Sequence, residues 1–159
     1  MADAGPLIAL GWAGRLRLLR EVLGTVLVPD AVVRECLRNR RLPGAEAVRQ
    51  ALSNGLLSRG AVRRSPRHEG LIGLGDGEAA AITLAHGLGV QVLLDDGPAR
   101  AAARELGVEV IGTGGVLVRA KRLGRLAAVK PLLLELQRNG YHLSEAVMKE
   151  ILARCGEAK

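Results

Sequence analysis

The chain has 159 residues, 23 Lys and Arg against 16 Asp and Glu, a formal net charge of +7, no Phe, and one Trp and one Tyr. That length fits a single domain over 1–159, able to bury about 70 % of its unfolded surface in a mainly aliphatic core. The longest apolar runs, 7–10 and 90–94, fall far short of the ~20 residues of a membrane span, and residues 1–3 carry no secretory pattern, so a cytoplasmic protein without a membrane role is expected.

In chain order, the apolar spacing over 6–23 suits one or two helices broken near Gly11 and Gly14, and 25–28 reads as a short buried strand. Asp30 is placed to cap a helix reaching about residue 39, and Pro43-Gly44 opens another to about residue 53. A weak strand around 56–62 runs into a loop-like stretch over 58–70. Residues 76–86 have strong helical spacing, stopped by Gly87 and Gly89. The clearest strand, 91–95, leads through Gly97-Pro98 into a helix to residue 106; a strand at 108–111 precedes a helix over 116–122. This alternation predicts an α/β fold with a parallel sheet of about four or five strands and helices on both faces. Two C-terminal helices, about 131–139 and 144–153, are added at one edge.

The charge is uneven. Residues 1–70 hold 12 Lys and Arg against 6 acids, whereas 71–159 hold 11 against 10. Arg38, Arg40 and Arg41 form one basic cluster and Arg59, Arg63, Arg64 and Arg67 another. A polyanion is the functional reading, with Arg63, Arg64 and Arg67 as nucleic-acid-binding candidates; a solubilising basic loop is the plain one. Cys36 and Cys155 form no Cys-x-x-Cys pair and read as reduced thiols. His68, His86 and His142 are dispersed, and Trp12 and Tyr141 read as core or interface residues.

Ligand-binding side chains of open parallel sheets gather beyond the carboxyl ends of the strands. The acids there are Asp95 and Asp96 after the clearest strand, Asp76 and Glu78 at the next helix start upstream, Glu35 one turn into the helix after the second strand, and Asp3 before the first helix. Converging carboxylates require a neutralising cation, and Mg²⁺ or Mn²⁺ prefers such oxygen ligands with several waters. A metal-assisted phosphodiester hydrolase follows. Each acid also has an ordinary role: Asp96 can cap a helix, Asp76 and Glu78 can complement a helix N-terminus, and Glu35 can be a solvated charge.

The wording of the sequence adds to this. Asp3-Ala-Gly-Pro-Leu-Ile resembles the Asp-x-Ser-Pro-Leu-Ile opening of PIN-like proteins. In order there follow Val28-Pro29 with Val32-Val-Arg-Glu35, Leu74-Gly-Asp-Gly-Glu78-Ala-Ala-Ala-Ile82, Leu93-Leu-Asp-Asp96, Ala99-Arg100, and Ile111-Gly-Thr-Gly-Gly-Val-Leu117. The chain thus resembles, over nearly its whole length, the toxin-like branch of the PIN-like family related to VapC ribonuclease toxins. That resemblance implies a three-layer α/β/α fold and a catalytic acidic set on Asp3, Glu35, Glu78 and Asp96, with Asp3, Glu78 and Asp96 as metal ligands and Asp95 as an accessory. It further implies Mg²⁺- or Mn²⁺-dependent cleavage of RNA, a small cognate antitoxin as partner, and room for a homodimer. Three features depart from the pattern: Gly5 stands where Ser is usual, only two residues precede Asp3, and the 112–115 turn offers no carboxylate.

Two other readings compete. A PIN-like module that binds RNA or an antitoxin without cutting fits the three departures. A nucleotide-binding turn at 112–115 fits less well, because Leu117 stands where a Gly-x-Gly-x-x-Gly fingerprint needs its third glycine.

Overall fold

The computed structural model describes residues 1–38, 43–60 and 69–158. These form helices α1 (Ala4–Trp12), α2 (Leu16–Leu23), α3 (Asp30–Leu37), α4 (Pro43–Ser53), α5 (Asp76–Leu88), α6 (Gly97–Glu105), α7 (Thr113–Arg122), α8 (Lys130–Arg138) and α9 (Glu145–Arg154). Four short strands alternate with them: β1 (Leu27–Pro29), β2 (Ser58–Gly60), β3 (Val92–Leu93) and β4 (Val110–Ile111), and Glu69–Leu71 makes one 3₁₀ turn.

The α/β alternation is as expected, but the continuous sheet of four or five strands is not. β1 pairs with β2 and β3 with β4, both in parallel, as two separate pairs. Residues 1–3 lie between the pairs. The Ala2 amide donates to Leu27 O at 3.0 Å, the Leu93 amide to Met1 O at 2.8 Å and the Asp3 amide to Leu93 O at 3.2 Å. Ladder pairing there amounts to a single bridge, Ala2 to Leu93, because α1 begins at Ala4 and turns the chain away. The strand expected over 25–28 is shifted to Leu27–Pro29, and that over 91–95 shrinks to two residues.

Local signals place the helix ends. Gly14, with φ 63°, separates α1 from α2, while Gly11 stays inside α1. The reason is contact with α4: a Cβ on Gly11 would lie 2.9 Å from Gly44 O, and one on Gly44 would lie 2.6 Å from Ile8 O. Gly89 ends α5 in the left-handed region, where glycine carries no steric penalty. The Ser144 side chain accepts the Val147 amide at the start of α9. Asp30 is the first residue of α3 instead of its cap and pairs with Arg59 on β2 at 3.0 Å.

One apolar cluster runs through the described residues, with Leu7, Leu10, Val28, Ile82, Leu93, Leu117 and Leu136 fully buried. Leu132 and Leu133 of α8 and Ile151 and Leu152 of α9 belong to the same cluster. The glycines after β4 serve this packing. A Cβ on Gly114 would overlap Ile151, and one on Gly115 would lie 2.9 Å from Ile111 Cγ1, so the turn seats α7 against α9 and β4. No described helix is long and apolar enough to cross a membrane.

Candidate active site

The candidate site starts from the bonds that fix residues 1–3. Asp3 follows directly from this bridge and precedes α1, so its carboxylate is delivered to the carboxyl end of β3. It is only 8 % exposed, and its Oδ1 has no hydrogen-bond partner among the described residues. Burial raises its pKa; the Ala4 and Gly5 amides partly offset that, while the charges of Glu35 and Asp95 push it further up. A buried carboxylate oxygen without a donor is costly unless a cation or proton compensates it.

Glu35, on α3, approaches Asp3 across the first turn of α5. A Cβ on Gly77 would overlap Glu35 Oε2 and lie 3.3 Å from Asp3 Oδ1, so the bare glycine lets the Glu35 carboxylate come in beside Asp3. Cys36 is beside them: burial, then the charges of Asp3 and Glu35, push its thiol up to about 12. It is a neutral buried thiol, as expected.

Glu78 reaches back to accept the Gly75 amide at 3.0 Å, which fixes it at the N-terminus of α5. Burial raises its pKa, the Gly75 bond opposes this, and Asp3 and Asp96 add to the rise. Asp96 caps α6, with Oδ1 accepting the Ala99 amide at 2.9 Å. The capping role foreseen for Asp96 and the helix-terminus role foreseen for Glu78 are therefore both present, and each leaves the second carboxylate oxygen to other partners.

Asp95 faces elsewhere. Its Oδ1 accepts the Thr113 amide at 2.8 Å and its Oδ2 the Thr113 hydroxyl at 2.6 Å. The Tyr141 hydroxyl joins Asp95 and Thr113, and burial followed by the Asp95 charge raises its pKa. Thr113 and Tyr141 were not picked out by sequence reasoning as site residues. Thr113 was hidden in a glycine-rich turn, and Tyr141 sits in a connection between helices with no motif around it.

Asp3 is thus electrostatically coupled to Glu35, Glu78 and Asp95, and Glu78 to Asp96. Among the described residues no three His, Cys, Asp or Glu side chains form one metal-holding group. Two carboxylates with water suit a hard divalent cation, since Mg²⁺ keeps several waters and takes few protein ligands. The orphan oxygen of Asp3 and the Glu35 carboxylate brought against Gly77 are the pair whose donor chemistry fits such an ion. Arg63, Arg64 and Arg67, with Arg40, Arg41 and His68, lie outside the described residues.

No curated protein and no solved structure matches the chain. The DUF3368 family model, described as a PIN domain, matches residues 1–157. The match spans nearly the full length, so the chain belongs to the PIN domain family and has a nuclease-type fold.

Proposed function

We propose that this protein is a Mg²⁺- or Mn²⁺-dependent endoribonuclease and the toxin half of a toxin–antitoxin pair, held in check by a small antitoxin protein and working in the cytoplasm. The same reading takes the fold as three layers, α/β/α, with residues 1–3 as a curtailed central strand. The observation that carries it is Asp3: a carboxylate more than nine-tenths buried, with an oxygen that no donor among the described residues satisfies, and with Glu35 brought close to it against the bare Gly77.

A bound divalent ion supplies charge neutralisation and a polarised water for attack on a phosphodiester. The chain's own residues do the rest. Asp3, fixed by the bridge at Ala2, and Glu35 on α3 would hold the ion. Glu78, held by the Gly75 amide, and Asp96, held by the Ala99 amide, each keep one carboxylate oxygen free of those bonds and would complete the acidic set. The raised pKa of Glu78 suits a group that takes up a proton during the reaction.

The test is cleavage of a single-stranded RNA with Mn²⁺ titrated from zero. Wild type should cleave only with metal, and Asp3→Asn should lose nearly all cleavage. Metal-independent cleavage, or full activity in Asp3→Asn, would overturn the reading. The second reading, a module that binds RNA or antitoxin without cutting, is favoured by the lack of a three-acid metal group among the described residues. It predicts RNA affinity in a chelator and no cleavage at any Mn²⁺ concentration.

A further inference from the structure

A cleft of about 680 Å³ lies between β4 and α7 on one side and α9 on the other, and at one end it reaches Asp95 and Tyr141. Its three carboxylates are already engaged. Asp95 is held by Thr113, Glu109 accepts the Gln91 side-chain amide at 2.7 Å, and Glu150 pairs with Arg154 at 3.5 Å. Arg119 and Arg122, one helical turn apart on α7, line the same cleft and are exposed. They make no ion pair or side-chain hydrogen bond among the described residues, so their charge is left for a ligand.

Arg100 adds a third guanidinium at the Asp95 end, where Gly112 makes room for it: a Cβ there would lie 2.5 Å from Arg100 Nη1. The cleft therefore carries Arg119, Arg122 and Arg100 along its length and ends at Asp95, the chain neighbour of Asp96 in the acidic set. Guanidinium groups recognise phosphate oxygens in a bidentate manner. Its volume is in the range of a small ligand, far below what a duplex needs, so a polyanion entering it does so as a single strand.

We propose that a single strand of RNA occupies this cleft, with backbone phosphates on Arg119 and Arg122, and passes Arg100 to reach the acidic centre. This places substrate contacts on α7, in the less basic half of the sequence, and it rests on the ribonuclease reading for the choice of RNA.

The experiment is fluorescence anisotropy of a labelled RNA of about 12 nucleotides, with EDTA present so that binding is read without cleavage. Arg119→Glu/Arg122→Glu is compared with Arg15→Glu/Arg17→Glu, two exposed residues outside the cleft whose reversal changes net charge equally. The cleft variant should bind at least about ten-fold more weakly, and its slope of log affinity against log salt should shrink by about 1.4, the value for two lost phosphates on a single strand. The control should stay within about three-fold. Arg119→Gln/Arg122→Gln, which puts no acid at the C-terminus of α7, should fall between them and guards against misfolding of the reversed variant.

Equal weakening in the cleft and control variants, or no RNA binding by wild type, overturns the proposed path. Should cleavage persist while the path fails, the ribonuclease reading survives without it. Selective weakening in a protein that cleaves nothing with Mn²⁺ upholds the path and removes the ribonuclease reading.

Discussion

Gly77 faces Asp3 with no side chain: a Cβ there would sit 3.3 Å from Asp3 Oδ1 and overlap Glu35 Oε2. The colliding Glu35 atom is the free end of a flexible side chain, so Gly77→Ala can be accommodated by moving the Glu35 carboxylate. Helix propensity favours alanine by up to ~1 kcal/mol, which offsets the local crowding. The expected variant folds within about 1 kcal/mol of wild type. It should nonetheless need at least ten-fold more Mn²⁺ for half-maximal cleavage, an order-of-magnitude figure for one displaced ligand oxygen. Unchanged metal dependence would detach Gly77 and Glu35 from the site.

Asp3 gives a pH prediction whose sign is opposite to that of an ordinary paired carboxylate. Its pKa is raised in the folded protein, chiefly by burial, so the folded state holds this proton more tightly than the unfolded chain. The stability it contributes is full below the ordinary value of 3.8 and is lost as pH rises through the raised folded value. Asp3→Asn should therefore have a higher Tm than metal-free wild type at pH 7, with the difference shrinking toward pH 3. Mn²⁺ should raise the Tm of wild type alone. A lower Tm for the variant at pH 7 would mean that Asp3 is not a strained buried charge.

At the other end of the chain, Glu157 fastens α8. Its carboxylate accepts the Lys130 amide at 2.8 Å and the Val129 amide at 2.9 Å, with Lys121 Nζ at 3.1 Å. Those amides, Lys130 first, hold its pKa below the usual 4.5. Its stabilisation is present above that value and fades as pH falls through the lowered one. Urea unfolding should show Glu157→Ala less stable by about 1–2 kcal/mol at pH 7, in line with loss of a helix cap, and the gap should narrow in acid.

The helices were legible in the sequence because their punctuation is local: Gly14, Gly89, Pro98 and Ser144 each act within one turn of where they stand. The strands were less so. Residues 91–95 have the composition of a five-residue strand, but only Val92 and Leu93 pair with β4, itself two residues long. Motif order singles out the acids, but it says nothing of their surroundings. The partner of Asp95 is 18 residues away at Thr113, and the glycines of that turn answer to Ile151 on α9 and to Ile111. Such dependence on distant packing leaves no trace in local spacing.

Asp95 and Asp96 are adjacent yet do different work, because the strand ends at Leu93 and Asp96 already caps α6. Asp95 spends both oxygens on Thr113, tying β3 to the start of α7, while Asp96 spends one on the Ala99 amide and keeps the other. Asparagine caps helices nearly as well as aspartate, so Asp96→Asn should retain the wild-type Tm while losing a charged group from the acidic centre and most of its cleavage. Asp95→Asn should do the reverse. An amide in place of one Asp95 oxygen breaks a bond to Thr113, an expected loss of about 1–3 kcal/mol, yet the residual folded protein should show the wild-type Mn²⁺ dependence. Thr113→Val, which removes the hydroxyl partner alone, should reproduce the Asp95→Asn stability loss in part and leave cleavage per folded molecule unchanged. Thermal melts and Mn²⁺-titrated cleavage of one RNA by all three variants decide the matter. If Asp96→Asn cleaves normally and Asp95→Asn does not, the two roles are exchanged, and the acidic centre must be redrawn around Asp95, Thr113 and Tyr141.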